Sequence, residues 1–550
     1  MPEYQPELTD EYFDYLAQRF PVMCASDEFH FLPRAVAASR HYDRMDAFDR
    51  AGIEECIATI EEYRRKFGRL AAVESDPEKL TDLEMLDSSI AGILIELDSK
   101  EVWRHDPLLY LKIAFIGLDH SLTKPTPSHN ERLERTRARL QAIPRLLQQA
   151  AENIDRVAHS TLQAALAMLV DCRSYLSETA EGLAPLDSGR FTAALEKTRS
   201  ALNAFGTFLG AVRSVPDREF AFRSLEVTLQ DRFRSHRSLS EVDEIAVEEW
   251  RENLCRLERL QRKIDPGKSW RELYHGYLPE DAAGRDTLVL YDREMKRLKR
   301  FFESHGFSEV MPAGWPVVCR TPTYLQSVRG SASFSAAFSR DGTEEDYFYI
   351  TTQASGQRRD RSAELLRKQF HREYKFLAAH ETFPGHYLLD STRRMLDNPV
   401  RSQIESALFY EGWAYYVESL LTEYGYADHP LDLLVDCKRR LWRAARCRID
   451  IGLHSGRLSP DDALGLLTTA GFGMEEARGQ ISRFRLNPGY QLCYSLGRFE
   501  IMRLRETYAG GMGHDGFHRL MLEGGEPPFH AIEKRLRCAN ATHSTRRSME

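Results

Sequence analysis

Apolar residues recur at three- and four-residue steps from the start of the chain to about Asp265, with prolines falling between the periodic stretches. The pattern predicts a succession of amphipathic helices and offers little sign of strands in this half. Ile53 to Phe67 alternates apolar and charged faces at the helical period, and Glu196 to Ile264 carries Leu and Phe amid Arg and Glu with one proline, Pro216. A helical N-terminal domain, residues 1–265, is the expected architecture. At Asp265-Pro266-Gly267 the periodicity breaks, and Gly, Pro, Ser and Thr punctuate the chain to Thr352. Within this mixed α/β segment, residues 266–352, Ser333 to Phe338 and Asp346 to Thr352 read as two strands joined through Asp341-Gly342, which predicts a small sheet. Helical patterning resumes over 353–540. Residues 541–550, ending in STRRSME, read as a disordered tail. The fold class is mainly α, a large helical fold with a small β-sheet beside a cleft.

Composition narrows the partners. With 42 % apolar and 10 % aromatic residues the chain can bury a substantial core, so disorder is excluded. A net charge of −8 and a pI near 6.2 give no general attraction for phosphate backbones, so nucleic acid is not an expected partner. The nine cysteines are odd in number and contain no C-x-x-C pair, which argues against a disulfide framework or a thiolate zinc site and for a reducing cytoplasm. The acidic, polar start lacks the signal-peptide pattern, and no run approaches the roughly 18 apolar residues of a membrane span. A cytoplasmic protein without a membrane partner is therefore expected; oligomeric state is not legible.

One segment carries chemistry. Leu366, Phe370, Tyr374 and Leu377 form an apolar stripe that leads into His380-Glu381-Thr382-Phe383-Pro384-Gly385-His386. In the zinc-hydrolase helix H-E-x-x-H, two histidines four apart share one face and the glutamate addresses the water on the metal. Here the histidines are six apart, and at ~100° per residue an unbroken helix would turn them roughly 120° from each other. Pro384 and Gly385 fall in the gap, where a kink or bulge would bring the two imidazoles back together. A third ligand is expected from Glu411, a carboxylate set among Leu, Phe and Trp in a strongly apolar helix, where burial without a partner is costly. Glu418, seven residues on and on the same face, is a rival.

Four motifs occur in order: HETFPGH from His380, YEGWAYYVE from Tyr410, LWRAARCRIDIGLH from Leu441 and NPGYQLCYSLGR from Asn487. Together they resemble the bacterial proteins grouped as domain-of-unknown-function family 885, which in turn resemble zincin metallopeptidases. The likeness runs from about Tyr347 to Leu536, with a further trace at Trp103 to Tyr110. It implies an α-helical zincin-like fold, one zinc ion held by His380, His386 and Glu411, and Glu381 as general base. Two positions depart from the family pattern: Tyr387 replaces a frequent His, and Tyr490-Gln491 replaces Gln and a small residue. Tyr490 is accordingly assigned to substrate binding.

A tetrahedral oxyanion needs a donor, and Tyr494, His454 and Arg446 are the candidates. Arg446, Asp450 and His454 are four apart and share one helix face, so they can form a polar cluster or, equally, an ordinary helical ion pair. Arg446 also suits a substrate carboxylate. The strand at Tyr347 to Thr352 is either a core strand or a pairing edge for an extended substrate. The leading expectation is a zinc-dependent hydrolase of peptide or amide bonds in short substrates, reached through a cleft between the two halves. A metal enzyme acting on a non-peptide amide or ester, and a non-catalytic helical scaffold that retains the site, are the alternatives.

Overall fold

The computed structural model describes residues 6–186, 189–220, 225–329, 332–340, 342–351 and 359–547. The end of the expected second strand at Thr352, the link residue Asp341, and residues 548–550 of the tail lie outside the described residues. The last helix, Phe529–Arg547, extends into the segment where the sequence suggests a disordered tail.

The protein is mainly helical. In the N-terminal half, long helices such as Arg50–Ala71, Pro107–Thr123, His129–Asn153, His159–Leu183 and Thr192–Ala211 surround one apolar core. The Pro107–Thr123 helix is apolar almost all round and is buried accordingly. Its start is fixed by Asp106, whose side chain accepts from the Leu108 amide at 2.9 Å, with Pro107 in the first turn. The stretch from Glu196 to Ile264 is interrupted around Pro216, as the proline demands. One feature departs from the all-helical reading. Strands β1 (Arg156–Ala158) and β2 (Arg213–Val215) form a short parallel pair in this half.

A second core fills the C-terminal half. Seven helices build the part of it that matters for function: α1 (Leu239–Ile264), α2 (Arg359–Glu381), α3 (His386–Arg394), α4 (Ala407–Glu423), α5 (Pro430–His454), α6 (Met474–Leu486) and α7 (Leu492–Leu522). Helix α1 begins with a capping box between Ser238 and Glu241 and packs along α5, so it joins this half although it precedes the Asp265–Gly267 break. Strands β3 (Val317–Arg320), β4 (Ala332–Ser335) and β5 (Tyr347–Ile350) form a three-stranded sheet in the order β3-β5-β4. β5 pairs parallel with β3 and antiparallel with β4, and it buries Phe348 and Ile350 in the core. Because β5 is central, both of its edges are used. Of the two readings of Tyr347 to Thr352, the core strand is the one the structure shows over Tyr347–Ile350, and the pairing edge for a substrate is set aside: the unpaired edges belong to β3 and β4.

Helix α4 is buried along almost its whole length, from Ala407 to Leu421. It meets α7 through two glycines. A Cβ on Gly412 would lie 2.5 Å from the Gly497 Cα, and one on Gly497 would lie 2.2 Å from the Leu408 carbonyl oxygen. No side chain fits between the two backbones, so this contact sets the position of Glu411 on α4 against Tyr494 on α7.

Candidate metal centre

Helix α2 ends at Glu381 and α3 begins at His386. The helix stops and restarts across Thr382–Gly385, where the sequence suggested a kink or bulge. Gly385 is required at this reversal, since a Cβ there would lie 1.9 Å from the His380 carbonyl oxygen and 2.3 Å from that of Ala379. Trp413 Nε1 donates to the Pro384 carbonyl at 2.9 Å and ties the reversal to α4.

The restart brings the two imidazoles together. Their ring centroids are 4.7 Å apart and nearly perpendicular, at 79°. Glu411 faces both: its Oε2 is 3.4 Å from His380 Nε2 and 3.8 Å from His386 Nε2. The three ligand atoms lie within 4.8 Å of one another, and all three residues are buried. Four bonds of about 2.0–2.1 Å in a tetrahedron place ligand atoms about 3.4 Å apart, so modest closure suffices to hold a zinc-sized ion. Glu411 Oε2 and His386 Nδ1 have no hydrogen-bond partner. A buried carboxylate oxygen without a donor costs on the order of 1–3 kcal/mol or more, and a cation on it removes that cost. The donor set and the orphaned oxygen therefore fit a divalent ion with nitrogen and oxygen ligands.

Other groups hold the three in place. Glu411 Oε1 accepts from Tyr490 Oη at 2.5 Å and Tyr494 Oη at 2.6 Å. The Tyr410 ring stacks on His386 at 3.8 Å. His380 Nδ1 is 2.8 Å from Glu418 Oε1, and Glu418 is in turn gripped by Arg439 Nε at 2.9 Å and an Arg443 guanidinium nitrogen at 3.1 Å. Glu418 thus stands behind the imidazole, outside the ligand group. A carboxylate in that place fixes the ring orientation and leaves Nε2 toward Glu411.

Electrostatics separate the two histidines. Burial, followed by the neighbouring His380, pushes His386 down to about 3, so its imidazole is neutral. Burial also acts to lower His380, but the carboxylates of Glu411 and Glu418 outweigh it and raise its pKa overall. Burial opposes ionisation of Glu411, yet the two histidines hold it well below the usual carboxylate range. Glu381 behaves differently. Burial raises its pKa, the nearby Glu411 adds to this, and its Oε2 accepts from the Phe334 amide at 2.9 Å. That amide lies on β4, on the side turned away from β5.

Of the remaining predicted residues, Tyr490 and Tyr494 converge on Glu411, while Arg446 and His454 do not touch the ligand group. Arg446 donates through Nε and one terminal nitrogen to Gln491 Oε1, at 2.8 and 2.6 Å, and so does not pair with Asp450. Asp450 instead accepts from the amides of Gly489 at 3.1 Å and Gln491 at 2.8 Å. His454 Nε2 is 3.6 Å from Asp450 Oδ1, and burial pushes the imidazole down to about 4. Sequence reasoning missed Tyr410, Arg443 and the Phe334 amide, which act through contacts that no spacing within one helix reveals.

These groups open on a cleft of about 1590 Å³ lined from both halves of the chain, by residues such as His30 and Lys100 on one side and His380, Glu381, Glu411 and Tyr494 on the other. The molecule is thus a mainly helical protein with a buried His–His–Glu cluster at the floor of a large cleft. Residues 34–536 match the family described as "Bacterial protein of unknown function (DUF885)", and the chain belongs to that family. The match takes in most of the N-terminal half as well, beyond the C-terminal motifs quoted above.

Two solved structures share the fold over nearly the full length. A "putative lipoprotein of unknown function" from Shewanella oneidensis is 20 % identical, with a TM-score of 0.71 over 96 % of this chain and 98 % of that one. A "putative lipoprotein" from Colwellia psychrerythraea is 16 % identical, with a TM-score of 0.73 over 97 % and 99 %. No curated protein matches the sequence. The expected cytoplasmic placement is corrected: both of these structures of the same fold are described as lipoproteins, so the placement does not hold. The cysteine reasoning behind that placement fails for a physical reason. All nine thiols are free and six are buried, so their lack of pairing does not report the redox state of a compartment. Among the described residues no helix is long and apolar enough to cross a membrane.

Proposed function

We propose that this protein is a zinc-dependent hydrolase of peptide or amide bonds in short substrates, built on a zincin-like helical scaffold. The observation that carries the reading is the orphaned Oε2 of Glu411, faced by the Nε2 atoms of two buried histidines. His380, His386 and Glu411 would hold the ion. When bound, zinc supplies Lewis acidity, polarising a carbonyl and bringing the pKa of a water towards about 7.

The chain's own residues supply the rest. Glu381, with its raised pKa and its Oε2 held by the Phe334 amide, takes the proton of the attacking water on its other oxygen, then delivers it to the leaving amine. Tyr494 carries the guanidinium groups of Arg443 and Arg446 over its ring, at 4.1 and 4.0 Å, and these favour donation to developing negative charge once its hydroxyl turns from Glu411 Oε1, which keeps the hydrogen bond from Tyr490. The cleft exceeds the roughly 300–1,000 Å³ of a typical small-ligand site and accommodates a short peptide.

The test is metal analysis combined with a panel of short peptides. Wild type is expected to carry stoichiometric zinc, which His380→Ala loses. Glu381→Gln keeps the zinc but loses about 10²–10⁴-fold in hydrolysis. Wild type without a stoichiometric divalent ion, or undiminished turnover by Glu381→Gln, would overturn the reading.

A further inference from the structure

Four of the nine arginines that line the cleft have carboxylate partners. Arg34 pairs with Asp390 and Glu405, Arg329 with Glu28, Arg443 with Glu418 and Arg485 with Asp217. The other five form no ion pair among the described residues: Arg156, Arg218 and Arg232, which precede α1 in the chain, and Arg446 on α5 and Arg483 on α6, in the half that carries the metal centre; of the five only Arg446 is buried. Arg446 is only 9 % exposed, and its two hydrogen bonds go to a neutral oxygen, that of Gln491. Its guanidinium rests on the rings of Tyr494, at 4.0 Å, and Trp442, at 4.9 Å. Neutral groups thus hold it in one orientation without neutralising it. Glu411 lies across the Tyr494 ring, but its charge belongs to the metal centre. Arg483 faces the same stretch of cleft, close enough for Arg446 to disfavour its charge, while Glu476 on α6 is its only sizeable opposing influence and makes no ion pair with it.

A buried, uncompensated guanidinium is costly, and a planar donor fork of this kind matches a carboxylate. We propose that Arg446 and Arg483 form a binding site for a substrate carboxylate beside the metal centre, so that preferred substrates carry a negative group on one side of the scissile bond. The substrate assignment rests on the hydrolase reading; the anion site itself does not. The carboxylate comes either from a free peptide C-terminus or from an acidic side chain.

Equilibrium binding to the full-length protein separates these possibilities. Calorimetric titrations use acetyl-alanyl-alanine, its C-terminal amide, and acetyl-alanyl-glutamic acid amidated at its C-terminus. The free acid is expected to bind about 100-fold more tightly than the neutral amide, because the amide leaves the buried guanidinium unpaired. Arg446→Gln and the cleft-exposed Arg483→Ala should each erase most of that difference; the second variant keeps the test decisive if the first fails to fold. Tight, arginine-dependent binding of the amidated glutamyl peptide assigns the site to an acidic side chain, and its absence assigns it to the α-carboxylate. Equal binding of free acid and neutral amide, or a preference that both variants retain, overturns the proposal. Arginine-dependent binding without hydrolysis of any peptide would leave the anion site standing while the hydrolase reading fails.

Discussion

Replacing Gly497 by alanine tests whether the α4–α7 contact sets the geometry of the centre. The new Cβ would stand 2.2 Å from the Leu408 carbonyl oxygen, where 3.0–3.4 Å is the tight limit for such contacts. The helices must therefore part by about 0.8–1.2 Å, an overpacking change that costs about 1–3 kcal/mol. Tyr494 lies one turn before Gly497 and reaches Glu411 at 2.6 Å. Adding the displacement stretches that bond to roughly 3.4–3.8 Å, beyond the ordinary range for O–H···O bonds. The expected outcome is a melting temperature lower by several degrees, weaker zinc binding in competition with a chelator, and about 10²-fold lower kcat/KM. Gly510 supplies the control. It lies in the same helix with nothing within 4 Å of its would-be Cβ, so Gly510→Ala should be neutral or stabilising by about 0.4–1 kcal/mol. If Gly497→Ala melts with Gly510→Ala and binds zinc like wild type, the glycine contact does not position Glu411 and Tyr494.

Other expectations follow from the groups behind the centre. Glu418→Gln keeps a side-chain acceptor near His380, Arg439 and Arg443 but loses the charge, and should weaken zinc affinity about 10–100-fold, read by chelator competition; unchanged affinity would remove Glu418 from the metal's support. Zinc uptake should weaken in acid, because His380, whose pKa the two carboxylates raise, must give up its proton to become a ligand; a flat affinity between pH 5 and 8 would contradict this. Asp450 has its pKa raised from the ordinary 3.8 to about 7 by burial. Its folded form therefore keeps a proton that the unfolded chain has lost, so its stabilising contribution is full below about pH 4 and is lost as pH rises towards 7, by up to about 4 kcal/mol. Denaturant midpoints measured across that window should fall with pH in wild type and flatten in Asp450→Asn; equal slopes in both would refute the assignment.

Much of this architecture is legible in the residue pattern, and the failures share a cause. The 3.6-residue periodicity marks the helices because each buries one stripe, and Pro216 marks a break because it cannot donate within a helix. The pair β1–β2 leaves no trace: three residues are too few for an alternating pattern to stand out from a helical one. Ser333 to Phe338 and Asp346 to Thr352 contain strands at the expected places, but sheet order is a tertiary fact, so the sequence leaves the central strand open between core and edge. The chemistry divides the same way. HETFPGH and the apolar setting of Glu411 indicate which residues converge, because a charged group in an apolar helix and a proline–glycine step between histidines each demand a compensating partner. Which carboxylate compensates is another matter. Glu411 and Glu418 are two turns apart on one face of α4, and their local sequence does not rank them as ligands. The choice is made where α2 crosses α4, since His380 meets Glu411 with Nε2 and Glu418 with Nδ1. Arg439 and Arg443 on α5 then claim Glu418 and leave only Glu411 with a free oxygen. Likewise, the four-residue spacing of Arg446 and Asp450 places them on one face, yet Gln491 takes the arginine and the Gly489 and Gln491 amides take the aspartate. Periodicity identifies the residues that need a partner; helix crossings decide which partner each receives, and at Arg446 the crossing supplies a neutral amide oxygen and no ion pair, the opening that the proposed substrate carboxylate fills.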